Sequence, residues 1–360
     1  MLFIPKNITF GSDFECFIKD RKSGKIVPPS SIFTGNLAKR IGTKEEPVYH
    51  HHVSDKYKEA TGQVKPLKFG AQIDCCTIEF TVEPQKTLTK LISTVAFLTD
   101  YNYLFYIKRP RHTTKVMNLI LGSDNYQLYP DAIVNFEEED LKDPICNTFG
   151  CSPEFNVLYP GKEFVSQPNQ LAPGIRTAGV HLHIGYDNAN TPEGRAWGKR
   201  FILALDYCRK TQALHETSWS LNNIPYYRRD LYSNHSTYRE KPYGLEYRGF
   251  ELANFCVDHA YKAIIAAIGC ATFLPEFFDA SNEKILEYWR NSLNTIYKTG
   301  ISYMEDQIPV LTIKETSDLY EIFMPIRKRF IKIYGAEYLK RTKDLKSLFY
   351  KKGKWQPQLL

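Results

Sequence analysis

The sequence lacks several patterns that would assign it at once to a common class of protein. No stretch of its 360 residues approaches the ~18 consecutive apolar residues of a membrane-spanning helix. It contains no GxxxxGK[ST] phosphate-binding loop, no zinc-finger spacing and no RNA-binding aromatic signature. The N-terminal stretch "MLFIPKNITFGSD" does not have the basic segment and apolar segment of a secretory signal peptide. We therefore expect a cytoplasmic protein with no membrane partner and no direct nucleic-acid partner.

The cysteines do not form a disulfide or zinc framework. None of the eight lies in a CxxC pair, and several occur within apolar runs such as "FECFI" and "AAIGCATF". This usage is typical of reduced, buried thiols.

The composition is that of a globular protein with a basic surface. Apolar residues make up 43% of the chain and charged residues 24%, so disorder is not expected. The net charge of +7 suits an anionic ligand such as a nucleotide, although charge alone defines no site. Because no low-complexity linker interrupts the chain, we expect residues 1–360 to form a single catalytic unit.

The order of the predicted elements indicates an α+β fold. Alternating residues predict a strand over 7–20 and a second strand region over 68–84 that Pro84 ends, followed by an amphipathic helix over 85–107. Strands and helices do not alternate as βαβ units, which favours a mainly antiparallel sheet with flanking helices. We expect a sheet core over 1–255, with inserted loops at 28–70 and 120–170, and a helical C-terminal part over 256–360.

Four predicted strands place acids, histidines or arginine on one face and apolar residues on the other. A half-solvated sheet also alternates in this way, so each strand alone has an ordinary explanation. Taken together, however, carboxylates that converge on one face would repel each other unless a cation neutralised them. Carboxylates and imidazoles are ligands for Mg²⁺ or Mn²⁺, and arginine suits phosphate oxygens. The residues concerned are Asp13 and Glu15, then Glu79, His181 and His183, and Glu246 and Arg248.

Three further residues have a less certain relation to this face. Asp74 lies an odd number of residues before Glu79, so a regular strand would place the two on opposite faces. Gly185 follows the two histidines, and we expect it to make room for a ligand. Glu154, in "GCSPEFN", echoes the first acidic strand "GSDFECF" and is either a site residue or a surface glutamate.

The segments "GSDFECFIKD", "DCCTIEFTVEP", "RTAGVHLHIGYD" and "YREKPYGLEYRGF", in this order, resemble a known enzyme family. They are similar to the carboxylate–amine ligases with a glutamine-synthetase-like fold, and above all to the phage-type amidoligases of the COOH–NH2 ligase type 2 group. The resemblance extends from about residue 8 to about residue 255. It implies a curved antiparallel sheet that binds ATP phosphates and two or three divalent cations on its concave face.

The resemblance also implies roles for individual residues. The expected metal ligands are Asp13, Glu15, Glu79, His181 and Glu246. The expected ATP contacts are His183, Arg248 and Arg176, and the expected catalytic residues are Arg248, Arg228 and Arg239; Arg176, Arg228 and Arg239 are basic residues in matching regions without a fixed motif position. Glu154 is added as a catalytic residue because of its echo of the first acidic strand.

The reaction implied is ATP-dependent formation of an amide or isopeptide bond through an acyl phosphate. The carboxylate and amine substrates, which in this family are amino acids, polyamines, peptides or proteins, are not identified by the residues of the site. Two alternatives remain open. One is a metal-dependent hydrolase, to which the histidines at 50–52 could contribute from a polar loop. The other is an inactive binding module of the same fold.

Overall fold

The structure is a computed structural model of the whole chain. It describes residues 3–43, 46–52, 67–99, 120–121, 123, 125–129, 131–147, 154–164, 173–210, 236–255, 258–298, 350–351 and 354–355.

The strands precede most of the helices along the chain. In chain order the strands are β1 (Thr9–Asp20), β2 (Ile26–Val27), β3 (Val48–His52), β4 (Leu67–Asp74), β5 (Thr77–Gln85), β6 (Tyr126–Tyr129), β7 (Ile133–Asn135), β8 (Glu154–Asn156), β9 (Glu163–Phe164), β10 (Ile175–Thr177), β11 (Val180–Gly185), β12 (Thr237–Lys241), β13 (Gly244–Phe250), β14 (Tyr350–Lys351) and β15 (Lys354–Trp355). The α-helices are α1 (Pro29–Ile32), α2 (Leu88–Thr99), α3 (Pro192–Lys210), α4 (Leu252–Phe255), α5 (Asp258–Phe273) and α6 (Glu283–Lys298). Short 3₁₀ turns occur at Gly35–Arg40, Glu138–Leu141 and Pro144–Asn147.

One large antiparallel sheet organises the described part of the chain. Its strands run in the order β3-β4-β5-β1-β11-β13-β12-β8-β9, and β2 and β6 pair with the far end of β1. All the pairings between its named strands are antiparallel. The two ends of this order do not pair within the described residues, so the sheet is not closed into a barrel. The predicted α+β class and the mainly antiparallel sheet are confirmed.

The apolar side of the sheet lies in the main hydrophobic core. Val180, Leu182 and Ile184 of β11 are fully buried, and Phe10 and Phe14 of β1 are buried with them. Residues of α2, α3 and α5 belong to the same core cluster. Because side chains alternate along a strand, this burial directs the other side chains of β1 and β11 to the opposite side of the sheet.

Two predictions about the first half of the chain need correction. The region 68–84 is a hairpin, because β4 and β5 pair on either side of the two-residue turn Cys75–Cys76, and β5 continues past Pro84 to Gln85. The expected loop at 28–70 contains α1, a 3₁₀ turn and β3. His50 is therefore in a strand, where its ring stacks on Phe69 and its Nε2 lies 2.9 Å from the carbonyl oxygen of Arg40.

The predicted helices are confirmed at α2, α5 and α6, but the expected helical C-terminal part is wrong at its last described residues, where β14 and β15 pair as antiparallel strands. α2 lies within the predicted helix, whose part beyond Thr99 is outside the described residues. α5 and α6 begin the expected helical C-terminal part, of which residues 299–349 are outside the described residues. No helix in the described ranges is long and apolar enough to cross a membrane.

Candidate functional site

Strand register brings the predicted polar residues onto one face of the large sheet. Glu15 pairs with Glu79, Asp13 with His181, and Glu246 with both His183 and Arg239. Directly paired residues on antiparallel strands point to the same side of a sheet. We call the resulting surface the polar face; it comprises Asp13, Glu15, Gln72, Asp74, Glu79, Glu154, His181, His183, Arg239, Lys241, Glu246 and Arg248.

One half of the polar face, on β4, β5 and β1, is acidic. Glu79 and Glu15 are both buried. Glu79 Oε2 accepts a hydrogen bond of 2.7 Å from Gln72 Nε2, and Glu15 Oε2 accepts one of 2.7 Å from the backbone N–H of Gly179. Burial raises the pKa of Glu79 well above its usual range, and the charges of Asp13, Glu15 and Asp74 raise it further. A cation at this half would relieve that repulsion.

The other half, on β8, β12 and β13, contains cations that surround two buried carboxylates. Arg248 forms ion pairs with Glu154 through Nε and, at 2.5 Å, with Glu246 through Nη1. Arg239 Nη1 lies 3.5 Å from Glu246 Oε1, and Lys241 Nζ lies 2.7 Å from Glu246 Oε2. Among these described side chains three cations accompany two carboxylates, so this half of the face carries an excess of positive charge.

The ionisation of Glu246 reflects these neighbours. Burial alone would raise its pKa, but the charges of His181 and Arg248, with those of His183 and Lys241, hold it well below the usual range. Glu246 is therefore a permanent anion near neutral pH and anchors the cations around it.

His181 lies between the two halves. Its Nε2 is 3.9 Å from Glu15 Oε1, and its Nδ1 is 3.7 Å from Glu246 Oε1 and 3.4 Å from Arg248 Nη1. The imidazole is almost fully buried, with 5% of its residue surface exposed. It therefore connects the acidic half to the cationic half.

His183 lies nearer the open edge of the polar face. Its Nε2 is 3.2 Å from Asp13 Oδ2, and its Nδ1 is 2.6 Å from the hydroxyl oxygen of Tyr243. Tyr243 is half exposed, and its ring lies roughly parallel to the imidazole. Burial, with the charges of Asp13 and Glu246, raises the pKa of the Tyr243 hydroxyl, which favours its neutral form.

Sequence reasoning missed three members of this environment. Gln72 contacts Glu79, Lys241 contacts Glu246 and Tyr243 contacts His183. Lys241 and Tyr243 occur in the predicted strand region "YREKPYGLEYRGF", but Lys and Tyr are common at strand ends and turns. Only the pairing of β12 with β13 distinguishes them from ordinary surface residues.

Asp74 lies on the same face as Glu79, contrary to the separation argument. Asp74 is on β4 and pairs with Thr77, two residues from Glu79 on β5. An odd separation places two residues on opposite faces only within one continuous strand. Here the chain reverses between Asp74 and Glu79, and the pairing of β4 with β5 puts both on the same face. The charge of Asp74 accordingly contributes to the raised pKa of Glu79.

Two of the predicted arginines are not part of the described polar face. Arg176 is buried on β10, where it donates hydrogen bonds to the carbonyl oxygens of Cys146, Pro173 and Ile175 and to the side chain of Asn147. These contacts place it beside the segment 144–147, away from the ion pairs of the face. Cys146 of that segment belongs to a second hydrophobic cluster, which comprises Phe17, Cys76, Val134, Phe136, Cys146 and Ala178. Arg228 lies outside the described residues.

Gly185 does not open space for a ligand as expected. A Cβ atom at this position would lie 2.6 Å from Thr9 Oγ1, the side chain that faces it across the β1–β11 pair. A larger residue here would displace the Thr9 hydroxyl, so the close approach of Thr9 accounts for the glycine.

The chemistry of the donors, more than their present positions, suits a metal ion. Among the described residues, no three His, Cys, Asp or Glu side chains are grouped closely enough to hold a metal ion as they stand. The acidic half nevertheless presents oxygen donors of the kind that Mg²⁺ and Mn²⁺ prefer. The mutual repulsion around Glu79 is what a bound cation would remove. Side-chain rotation would have to accompany such binding.

Comparison with known proteins does not assign the chain to a family. No known protein-family model matches it, and no curated protein sequence matches it. The resemblance to the amidoligases therefore stays a prediction, and the polar face itself is the basis for inferring function.

Proposed function

We propose that this protein is an ATP-dependent carboxylate–amine ligase whose large sheet is of the glutamine-synthetase-like type. The observation that carries the proposal is the division of one sheet face into an acidic half and a cationic half, with His181 between them. ATP with its divalent cations has the complementary arrangement, because the cations need carboxylates and the phosphates need guanidinium or ammonium groups.

The acidic half would hold the cations. Asp13, Glu15 and Glu79 supply carboxylate oxygens, and His181 and Glu246 lie at the boundary with the cationic half. A bound Mg²⁺ or Mn²⁺ would neutralise phosphate charge and help to orient the reacting groups. Gln72 holds the Glu79 carboxyl in one orientation.

The cationic half would hold the phosphates. Arg248 and Arg239 present guanidinium groups, and Lys241 an ammonium group, at the side of the face away from the acidic half. Their role is to orient the γ-phosphoryl group and to stabilise the charge that develops during its transfer. Glu154 holds Arg248 from the opposite side to Glu246.

The reaction would proceed in two displacements. An oxygen of the acid substrate attacks the γ-phosphorus, the bond to the bridging oxygen breaks, and ADP leaves. The amine then attacks the acyl carbon, phosphate leaves with the C–O electrons, and the amine proton passes to a base. Neither displacement needs a serine or cysteine nucleophile on the protein.

Formation of a hydroxamate tests this proposal directly. The full-length protein, ATP, Mg²⁺, hydroxylamine and a panel of amino acids and peptides should give ADP and a hydroxamate in equal amounts. We expect Glu246→Gln and His181→Asn to abolish ADP release, because Glu246 anchors the cations of the cationic half and His181 lies between the two halves. Glu283→Gln, at an exposed ion pair on α6, is the matched control and should retain full activity.

Failure would take a recognisable form. If ATP and Mg²⁺ produce no thermal shift and Zn²⁺ co-purifies instead, a metal-dependent hydrolase becomes the better interpretation. If ATP binds but no acid in the panel stimulates ADP release, the inactive binding module is favoured.

A further inference from the structure

Three cysteines from distant parts of the chain meet beside the polar face. Cys75 and Cys76 form the turn between β4 and β5, and Cys146 lies in the 3₁₀ turn Pro144–Asn147. The Cys75 thiol donates a hydrogen bond to the carbonyl oxygen of Cys146 at 2.9 Å, and its sulfur lies 3.9 Å from that of Cys76. The Cys76 thiol donates a longer hydrogen bond, of 3.7 Å, to the same carbonyl oxygen. The segments that meet here are 70 residues apart in the chain.

The three thiols differ in their exposure. Cys76 and Cys146 are fully buried with Phe17, Val134 and other residues of the second hydrophobic cluster, whereas Cys75 is partly exposed. A thiol at the surface with a second thiol behind it is the arrangement of redox-sensitive cysteines. Buried thiols alone would act simply as small apolar residues.

The backbone and a nearby charge add to this arrangement. Cys75 has φ of +52°, in the left-handed region that favours glycine at the first position of a two-residue hairpin turn. A strained residue of this kind persists where its surroundings hold it, and here its side chain is held by Cys146. Hydrogen bonding with Cys76 and the charge of Arg176 lower the pKa of the Cys75 thiol, and reaction as the thiolate requires its hydrogen bond to the Cys146 carbonyl oxygen to open.

We propose that this cluster is a thiol-oxidation site, in which Cys75 reacts with a hydroperoxide and Cys146 resolves it to a disulfide. In the first step the sulfur of Cys75 attacks the hydroperoxide, the O–O bond breaks, Cys75 gains one oxygen as a sulfenic acid, and an alcohol or water leaves. In the second step the Cys146 sulfur attacks Cys75, an S–S bond forms and water leaves. The two sulfurs together lose two electrons, which the hydroperoxide accepts.

Cys146 is preferred over Cys76 as the resolving thiol for a geometric reason. Adjacent Cα atoms are ~3.8 Å apart across a trans peptide, whereas disulfides join Cα atoms about 4.4–6.8 Å apart. A bond between Cys75 and Cys76 would therefore be strained. A bond from Cys75 to Cys146 ties the β4–β5 turn to the neighbouring segment without this constraint.

Peroxide treatment of the full-length protein followed by mass spectrometry tests the proposal. After hydrogen peroxide and alkylation of the remaining thiols, a non-reducing digest should contain a peptide that links the turn to Cys146. Titration should show the loss of two thiols per chain, and dithiothreitol should restore both. Because the bond closes a long loop, the oxidised protein should unfold at a higher temperature than the reduced protein.

Single substitutions separate the roles of the three thiols. Cys75→Ser and Cys146→Ser should each abolish the linked peptide, whereas Cys76→Ser should retain it. Cys270→Ser, which removes a buried thiol on α5, is the matched control and should oxidise like the wild type. Thermal unfolding of each reduced variant checks that it has folded, and the linked peptide of the wild type tests the proposal even where a variant has not.

Three results would overturn the proposal. The first is retention of all thiols after peroxide treatment of the wild type. The second is persistence of the linked peptide in Cys75→Ser. The third is stoichiometric Zn²⁺ binding that protects the three thiols, which would indicate a metal site instead. None of these results depends on the ligase activity, because they are read from thiol content and peptide masses.

Discussion

The buried ion pairs of Arg248 should make a large contribution to the stability of the fold. Its side chain and those of Glu154 and Glu246 are each only 2–3% exposed. Arg248→Met removes the guanidinium but keeps most of the apolar volume, so it leaves Glu154 buried with Arg239 Nη2 at 3.9 Å as its next cation. Removing one partner of a buried ion pair costs ~3–5 kcal/mol of folding free energy. We expect a loss of that size at pH 7, which is a large fraction of the ~5–15 kcal/mol stability of an ordinary domain.

Urea unfolding of four proteins measures this loss and shows its origin. They are the wild type, Arg248→Met, Glu154→Gln and the double variant. If the loss comes from an uncompensated carboxylate, the double variant should be more stable than Arg248→Met, with a coupling of ~1–3 kcal/mol. Glu283→Gln, at an exposed ion pair, should unfold like the wild type.

The pH dependence gives a second check on the same pairs. The pKa of Glu246 is lowered in the folded protein, so its contribution to stability is present above its unfolded pKa and is lost as pH falls through the folded value. Arg248→Met removes one cause of that lowering. The difference between the wild type and Arg248→Met should therefore be largest near neutral pH and smaller in acid.

A cost below ~1 kcal/mol for Arg248→Met at pH 7 would contradict the burial of an ion pair at this position. Coupling near zero between the two sites would contradict the contact with Glu154.

Two further substitutions test other buried polar groups. Asp206→Ala should lower the free energy of unfolding by ~2–5 kcal/mol, because the buried Asp206 carboxylate accepts hydrogen bonds from Ser236 and from the hydroxyl of Tyr247. Urea unfolding measures this loss, and a loss close to zero would mean that these bonds do not form. Glu79→Gln should stabilise the metal-free protein increasingly as pH rises above the unfolded pKa of the carboxyl, because a raised folded pKa lowers wild-type stability in that range. The stability curves of the two proteins should converge at low pH. A difference that stays constant with pH would contradict the raised pKa. Added Mg²⁺ should raise the unfolding temperature of the wild type and have a smaller effect on Glu79→Gln.

The sequence by itself determined which side chains share a face of each strand. The alternation in "VHLHIGY" directs Val180, Leu182 and Ile184 to the core and the two histidines away from it, because the side-chain period of a strand is two. The same rule predicted the polar sides of β1, β5 and β13, and the order of strands and helices along the chain predicted the α+β class. These properties follow from the order of residues along the sequence and do not depend on which segments pack together.

Local rules failed where the chain reverses. The parity argument for Asp74 assumed one continuous strand, whereas the two-residue turn at Cys75 puts Asp74 and Glu79 on opposite strands of a hairpin. Cysteine does not predict such a turn, because the first position of a two-residue hairpin turn with positive φ favours glycine. The sequence therefore carried no ordinary turn signal there.

Only the tertiary structure decided which polar faces adjoin and which residues complete them. Strand order places the carboxylates of β1 and β5 on one side of His181 and the cations of β12 and β13 on the other. It also takes Arg176 away from that face to the carbonyl oxygen of Cys146 and brings Cys146 to the turn at Cys75. Contacts of this kind join residues far apart in the chain, so they depend on strand pairing and packing and leave no local pattern in the sequence.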